Sequence, residues 1–191
     1  MSAGVATSVA SAEARPQGGH RLLTMLLLVT APILALDQLS KLYITSHLRL
    51  YQTVGLIPHW LDLTYTLNPG AAFSLFATMP PGFRDVFFLT VSAVAIAVLL
   101  WLLARRSPGP LTNSIAFALI LGGTIGNLID RIARGRVVDF IYFHHRFVYP
   151  IHYDFSYAIF NVADSAITIG VIIILVFNIL AAPSEERRTT G

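Results

Sequence analysis

Four apolar segments, each about as long as a lipid bilayer is thick, constrain the fold of this chain more than any other feature. They cover residues 22–43, 86–104, 111–130 and 161–182. A helix needs about 20 mostly apolar residues to cross the hydrocarbon core. Only 12% of the 191 residues are charged, against about 25% in soluble domains. The sequence therefore predicts an all-α membrane protein with four transmembrane helices in a core of residues 21–182.

The two ends of the chain differ from this core. Residues 1–20 are rich in Ala, Ser and Gly and have no apolar run, which is typical of a disordered tail. Because the first apolar segment continues past Asp37 and has a poor small-residue cleavage pattern, we expect a membrane helix rather than a cleaved signal peptide. Arg105 and Arg106 lie in a very short turn on the side of both termini. This places the N-terminal tail and the C-terminal tail, 183–191, in the cytoplasm.

The outer face then holds two long segments, about 45–85 and 132–160. Residues 51–66 are rich in aromatic and β-branched residues, with turn signals at Gly55 and Pro58, which predicts short strands on the membrane surface. An irregular interfacial loop is the alternative. Residues 142–157 are a long outer loop whose conformation the sequence leaves open, and their aromatic residues are expected to anchor it at the membrane interface. The histidines of that loop lack the spacing of metal ligands, so no metal site is predicted.

Several classes of protein are excluded by the residues that the chain lacks. It has no cysteine, which excludes disulfides, thiol nucleophiles and Cys-ligated zinc. Lys41 is the only lysine, and charges this sparse do not form a stripe that binds nucleic acid. The expected partner is the lipid bilayer. No internal repeat supports the plan of many transporters.

Polar residues in the apolar segments gather at one depth. With a rise of about 1.5 Å per residue, Asp37 lies roughly 22 Å from the cytoplasmic edge, and Lys41 lies one turn further. Similar depths follow for the polar residues of the third and fourth segments: Asn127, Asp130, Asn161 and Asp164. Ionisable groups persist in membranes mainly where they pair or function. The layer is therefore either a functional site or a set of hydrogen bonds that holds the helices together.

Glycines precede these polar residues on the third segment. Gly122, Gly126 and Asp130 share one helical stripe, and Gly123, Asn127 and Arg131 share the next. Glycine allows two helix backbones to approach closely. The polar ends of both stripes are therefore expected to face neighbouring helices.

Two carboxylates, Asp139 and Asp164, are the main candidates for chemistry. Two carboxylates that are close in a low-dielectric site cannot easily both ionise, so they share a proton. One can accept a proton from water while the other donates to a carbonyl oxygen. The alternative is structural: one caps the fourth helix and the other pairs with Arg136.

Five motifs resemble those of the bacterial lipoprotein signal peptidase family, also called signal peptidase II, and occur in the same order. They are Asp37 to Lys41, Asn68 to Ser74, Gly122 to Arg131, Val137 to Phe140 and Phe160 to Ser165. The resemblance covers about residues 22–182. The stretch 142–157 looks longer than is usual in that family.

This resemblance implies an aspartic endopeptidase of the bacterial inner membrane with its active site near the periplasmic leaflet. The enzyme would remove the signal peptide of diacylglyceryl-modified prolipoproteins just before the lipidated cysteine, as a monomer without a metal or organic cofactor. The family also has a β-structured cradle on its outer face. Its catalytic aspartates fall on Asp139 and Asp164. The other matching site positions are Asp37, Lys41, Asn68, Gly70, Asn127, Asp130, Arg131 and Asn161.

Three other functions stay open from the residues alone. A serine/lysine peptidase would have to use Lys41, but the adjacent Ser40 points to a different helix face. A small transporter or channel would use the buried polar layer as its path, although the inner halves of the third and fourth segments are apolar. A non-catalytic membrane scaffold would use the layer only for packing.

Overall fold

The computed structural model describes residues 17–70, 80–105, 110–147 and 153–181. The described residues are mostly helical, with a small antiparallel sheet. The helices are α1 (Gln17–Met25), α2 (Ala31–His47), α3 (Pro81–Ala104), α4 (Leu111–Arg134) and α5 (Val162–Ala181). The strands are β1 (Thr53–Ile57), β2 (Leu61–Asn68), β3 (Val137–Phe147) and β4 (Tyr153–Ser156). Most of the predicted N-terminal tail, the C-terminal tail and Arg106 lie outside the described residues.

Among the described residues, three helices are long and apolar enough to cross a membrane: Gly19–His47, Gly82–Ala104 and Leu111–Arg134. A fourth apolar stretch, Val162–Phe177, is shorter. All four coincide with the apolar segments of the sequence. The second begins five residues earlier than predicted and the third continues four residues further, to the left-handed Gly135 at φ 68°. A glycine in this conformation is a common helix stop.

The first of these helices contains a local irregularity. A π-helical turn, Leu26–Thr30, joins α1 to α2 just before Pro32. Proline has no N–H to donate, and its ring crowds the carbonyl one turn back, so a continuous helix must adjust there. Thr30, the last residue of this turn, donates its hydroxyl to the Ala118 carbonyl at 3.0 Å. The irregular turn is thereby attached to α4.

Glycines on α4 bring its backbone against two neighbouring helices, as the stripes predicted. A Cβ on Gly122 would lie 3.1 Å from the Thr30 carbonyl oxygen, and one on Gly126 would collide with the Asp37 carboxylate. On the adjacent stripe, a Cβ on Gly123 would collide with the Ala163 carbonyl of α5. Helix α4 therefore packs closely between α2 and α5, and its polar ends reach both.

Substitution of Gly123 by Ala is expected to force α4 and α5 apart. The added Cβ meets backbone that cannot rotate away, and overpacking of this kind typically costs about 1–3 kcal/mol. Thermal unfolding of the purified protein in detergent should show a lowered Tm. Gly82→Ala is the matched control, because a Cβ there meets nothing within 4 Å. Equal Tm values for the two variants would contradict the close approach.

The four strands form a meander in the order β1, β2, β3, β4, and every neighbouring pair is antiparallel. Strands β1 and β2 confirm the prediction of short strands in residues 51–66. In the described part of segment 142–157, whose conformation the sequence left open, β3 continues through Phe147 and pairs with β4. The run of aromatic residues in 142–147 suits a pleated surface. Residues 148–152 lie outside the described part of the chain.

Two apolar clusters flank the polar layer along α1 and α2. One, at the α1 end, contains Met25 with Leu99, Leu103, Ala118 and Leu121. The other contains Ile44, Val138 and Phe140, beneath the sheet. Asp37 and Lys41 lie between Met25 and Ile44 along the chain and are completely buried. The polar layer is thus enclosed by apolar packing where the helices meet the sheet.

Candidate active site

The pairing of β2 with β3 places two site residues side by side. Thr66 is the register partner of Asp139, and Asn68 is the partner of Val137. Residues two positions apart on a strand share a face, so Asn68 and Asp139 are diagonal neighbours. Asn68 Nδ2 donates to Asp139 Oδ2 at 2.9 Å. Asp139 therefore lies on strand β3, and its side chain is buried, with only 2% exposed.

The turn after β2 sets the orientation of the Asn68 amide. The Gly70 N–H donates to Asn68 Oδ1 at 2.8 Å, so the amide nitrogen is the end directed to Asp139. Gly70 has φ 102°, a conformation that favours glycine. A Cβ at this position would also collide with the Phe88 ring. Gly70 thus belongs to the site through its backbone.

The N-terminus of α5 presents the second carboxylate. Asn161 precedes the helix, and its Oδ1 accepts from the Asp164 N–H at 2.9 Å. In return, Asp164 Oδ2 accepts from the Asn161 N–H at 3.2 Å. This reciprocal pair is a capping box built from Asn and Asp. Asp164 therefore takes part in the cap of the fourth helix, as the structural alternative suggested for one of the two aspartates. Its side chain is only half-buried, so one side of the carboxylate stays accessible.

Asn161 also connects the two carboxylates. Its Nδ2 donates to Asp139 Oδ1 at 2.8 Å and is 3.1 Å from Asn127 Oδ1. Asn127 in turn donates through Nδ2 to Asp164 Oδ1 at 2.8 Å. Each carboxylate thus accepts hydrogen bonds from two amide groups. The other structural alternative was an ion pair between Asp139 and Arg136. In the structure, Asp139 instead accepts hydrogen bonds from Asn68 and Asn161.

Lys41 lies beneath these amides, completely buried. Its Nζ is 2.8 Å from Asp37 Oδ2 and 3.0 Å from Asp130 Oδ2. It also donates to Asn127 Oδ1 at 3.0 Å. Because an ammonium only donates, this contact makes the Asn127 oxygen the acceptor and directs its nitrogen to Asp164. Lys41 therefore orients the site from below.

The two acidic partners of Lys41 also hold backbone at the site. Asp37 Oδ1 accepts from the Ala163 N–H at 3.0 Å, in the first turn of α5. Asp130 Oδ2 accepts from the Val138 N–H at 3.0 Å, next to Asp139. Asp130 Oδ1 pairs with Arg134 at 2.5 Å. The buried ion cluster thereby fixes the backbone that carries each candidate catalytic aspartate.

Arg131 lies at the edge of the site. It is half-buried, donates to the Asn127 carbonyl at 3.4 Å, and has its guanidinium carbon 5.1 Å from the centre of the Phe88 ring. The same positive charge acts electrostatically on Asp139 and Asp164. Arg131 thus supplies positive charge near both carboxylates.

Asp139 has the electrostatics of a group that exchanges a proton near neutral pH. Burial raises the pKa of its carboxyl from 3.8 to about 7, and the negative charge of Asp164 acts in the same direction. Hydrogen bonds from Asn68 and Asn161, and the charge of Lys41, lower the pKa but do not outweigh burial. A carboxyl of this kind can serve as a general acid or base at physiological pH.

The structure brings together the site residues named from the sequence. Asp37, Lys41, Asn127 and Asp130 form the buried base, and Asn68, Asn161, Asp139 and Asp164 form the layer above. Sequence reasoning missed Thr66, whose hydroxyl donates to the Asp139 carbonyl at 3.3 Å, and Arg134, the partner of Asp130. The sequence contained one signal for Thr66: it lies two residues before Asn68 on a strand, so the two side chains share a face.

A groove opens beside Asp164. It has a volume of about 250 Å³, and its lining residues come from α5 and the segment before it: Tyr157, Phe160, Asp164, Ser165, Thr168 and Ile169. Thr168 and Ile169 are exposed on the outside of α5. A peptide that approaches from the side of α5 therefore has access to the carboxylate. Within the described ranges, no group of three or more His, Asp or Glu side chains is placed to hold a metal ion.

The fold and the site together define a helical membrane protein with two amide-bridged carboxylates at the junction of its helices and its sheet. A sequence profile of signal peptidase (SPase) II matches residues 29–180. The lipoprotein signal peptidase of Syntrophotalea carbinolica is 40% identical over 147 residues, which are 77% of this chain and 86% of that protein. The one from Coxiella burnetii is 41% identical over 155 residues, 80% of this chain and 88% of that protein.

Solved structures agree with this match. A bacterial membrane enzyme superposes with a TM-score of 0.69 at 28% identity, covering 86% of this chain and 93% of that one. A second superposes with a TM-score of 0.66 at 30% identity, covering 82% and 93%. The chain belongs to the signal peptidase II family. The resemblance in the sequence motifs is therefore confirmed.

Proposed function

We propose that this chain cleaves diacylglyceryl-modified prolipoproteins just before the lipidated cysteine, with Asp139 and Asp164 as its catalytic dyad. The observation that carries the proposal is the double amide bridge: Asn161 contacts both carboxylates, and Asn127 contacts Asp164 and Asn161. The bridge holds two acids together next to an open groove. Family membership supplies the reaction class.

The chemistry follows from one proton shared by the two acids. The ionised carboxylate takes a proton from a water molecule, whose oxygen attacks the peptide carbonyl carbon. The protonated carboxyl donates its proton to the carbonyl oxygen as the tetrahedral intermediate forms. Collapse of the intermediate breaks the C–N bond, and the leaving amine takes a proton from the dyad. The amides of Asn68, Asn127 and Asn161 hold the carboxylates in place, without a metal or organic cofactor.

The proposed membrane arrangement uses four spans. Helix α5 would be the fourth, since it follows the sheet back toward the side where α1 begins. At the opposite end of α3 from the sheet, Arg105 stacks on Trp101 at 3.6 Å, which is typical of a membrane interface. We place this end and both termini in the cytoplasm, and the sheet as a cradle at the periplasmic side of the inner membrane. Residues 21–182 would form the peptidase unit.

The structure argues against lysine-dependent chemistry. Lys41 Nζ contacts two carboxylates at 2.8 and 3.0 Å and Asn127 Oδ1 at 3.0 Å, and none of these partners is a serine hydroxyl that it could activate. The Ser40 hydroxyl donates to the Asp37 carbonyl of its own helix at 2.8 Å. A transporter would need the polar layer to continue inward, yet the layer gives way to the cluster of Met25, Leu99 and Leu121.

The proposed function is tested by offering the purified protein two precursors that differ only in the diacylglyceryl group on the cysteine. Cleavage of the lipidated precursor alone, at the bond before the cysteine, is expected. Cleavage of both would show a peptidase of broader specificity. Cleavage of neither, together with solute flux in proteoliposomes, would favour a transporter.

Activity is expected to fall as the pH rises through about 7. The ordinary pKa of Asp139 is 3.8 and its value in the folded protein is about 7, so the proton of the dyad persists to neutral pH and is lost above it. The kcat/KM for the lipidated precursor should then fall about tenfold per pH unit on the alkaline side. The same proton stabilises the fold fully below pH 3.8, and this contribution disappears as the pH rises through 7.

The Asn68→Ala variant tests whether the fall of kcat/KM on the alkaline side of the pH profile, its alkaline limb, comes from Asp139. The Asn68 amide lowers the pKa of Asp139, so its removal should move the alkaline limb to higher pH. Gln52→Ala, on the outer side of the sheet, is the control and should leave the limb in place. If the alkaline limb kept its position in Asn68→Ala, it would report the titration of a group other than Asp139.

A further inference from the structure

An apolar cavity of about 420 Å³ lies on the sheet beside the candidate active site. Its six lining residues are Trp60, Phe143, His144, Phe155, Tyr157 and Phe160. The volume falls within the usual range for sites that bind small organic molecules. Four of the six lining residues belong to the stretch 142–157. The cavity is therefore built largely by the β3–β4 pair and the residue that follows it.

Backbone pairing gives the cavity a fixed shape. The Tyr157 N–H donates to the Phe143 carbonyl at 2.9 Å, and the Phe160 N–H donates to the Ile141 carbonyl at 3.1 Å. The rings then pack on one another: Phe143 stacks on Phe160 with centroids 5.9 Å apart, and Tyr157 meets Phe160 edge-on at 5.7 Å. The aromatic walls are thus held by the sheet.

The cavity adjoins the groove at Asp164. Tyr157 and Phe160 line both spaces. The groove continues along α5 to Ile169, which is 52% exposed on the outside of the helix. The groove thus extends from the outer surface of α5 to Asp164, and the side chains at its end, Tyr157 and Phe160, are also walls of the aromatic cavity.

The chemistry of the walls discriminates between occupants. The accessible lining of the cavity is apolar, and the ring of His144 has its Nε2 engaged with Asp62 at 2.8 Å. A peptide backbone in this cavity would leave N–H and C=O groups without partners, which is costly. A hydrocarbon chain has no such groups and gains from burial.

We propose that this cavity binds one acyl chain of the diacylglyceryl group on the substrate cysteine. The proposal rests on the proposed function, because the lipidated cysteine adjoins the scissile bond that must lie at the dyad. The chain enters along α5 from the bilayer, and its aromatic pocket fixes the cysteine relative to Asp164. The β3–β4 pair thereby becomes a specificity element for the lipid part of the substrate.

Photocrosslinking locates the acyl chain without requiring cleavage. One synthetic precursor peptide carries a diazirine in an acyl chain, and a second carries it on the second residue after the lipidated cysteine. With the full-length protein in lipid nanodiscs, the acyl probe is expected to label Phe143, Phe155 or Tyr157. Labels confined to outward residues of α3 and α5, such as Val94 and Ile172, or cavity labels from the peptide probe, would overturn the proposal.

Kinetics with two chain lengths provide the second test. Phe155→Asp places a charge in the cavity wall, and the ratio of kcat/KM for a dipalmitoyl precursor to that for a dibutyryl precursor should fall about tenfold, or 1.4 kcal/mol. Leu56→Asp is the control, since Leu56 is 52% exposed on β1 outside the cavity, and its ratio should equal that of the wild type. An unchanged ratio for Phe155→Asp in a protein of normal Tm would overturn the proposal. Failure of the wild type to cleave either precursor would instead refute the proposed function.

Discussion

Asp139→Asn and Asp164→Asn are each expected to lower kcat for a lipidated precursor by about 10²–10⁴-fold, the usual contribution of a positioned acid or base. Asparagine keeps the shape of the side chain but can neither take a proton from water nor carry one to the carbonyl oxygen. Single-turnover cleavage of a fluorescent lipopeptide in detergent measures the loss. It separates the chemical step from product release.

Control variants establish that such a loss concerns chemistry. Asp85→Asn changes a carboxylate that is exposed at the start of α3 and should leave kcat unchanged. The Tm of Asp164→Asn distinguishes a loss of chemistry from a loss of the helix cap, because Asp164 also accepts the Asn161 N–H at 3.2 Å in that cap. The asparagine oxygen can still accept that bond, so we expect a small change in Tm with a large change in kcat. A large fall in Tm with little loss of kcat would assign Asp164 to capping alone.

Lys41→Met is expected to have the largest effect on stability. The change leaves Asp37 and Asp130, both completely buried, without the ammonium that pairs with them at 2.8 and 3.0 Å. Removal of one partner from a buried ion pair costs about 3–5 kcal/mol. Unfolding in detergent should show the loss, and the variant should also be impaired in cleavage because Asn127 loses a contact that orients it toward Asp164.

A second substitution tests the cause of this instability. Asp130 keeps its ion pair with Arg134 when Lys41 is removed, so Asp37 is the charge left without a cation. In the double variant Lys41→Met with Asp37→Asn, this charge is removed, while the asparagine oxygen can still accept from the Ala163 N–H. The double variant should therefore be more stable than Lys41→Met alone, which is a coupling that independent sites would not show. Additive losses would mean that the ammonium contributes by packing rather than by charge.

The sequence predicted the positions of the helices more accurately than the shape of the outer face. The segment 111–130 is nearly uniform in hydropathy, and its helix differs from the prediction only by one further turn. The stretch 142–157 has no alternation of apolar and polar residues to reveal a strand, because aromatic or histidine side chains occupy successive positions from Tyr142 to His145 and so lie on both faces of the strand. The pairing of β3 with β4 is a tertiary fact that local composition does not contain.

The members of the candidate site were predictable, but their hydrogen bonds were not. The rise per residue of the helices predicted that Asp37, Lys41, Asn127 and Asp164 lie at one depth in the membrane, and in the structure their side chains form a connected chain of contacts. The rise did not show that Asn161 reaches Asp139, because that contact depends on how β3 passes the start of α5. Nor did it show that Lys41 supports Asn127 from below. Side-chain direction across separate elements is fixed by packing rather than by spacing along the chain.

The central claim is that Asp139 and Asp164 act as one catalytic unit on a lipidated precursor. The most direct test measures single-turnover cleavage by the wild type, by each Asp→Asn variant and by the variant that carries both changes. Residues that act as a unit are not additive, so the double variant should be about as slow as the slower single variant. Wild-type rates in either single variant, or losses that multiply in the double variant, would contradict the claim.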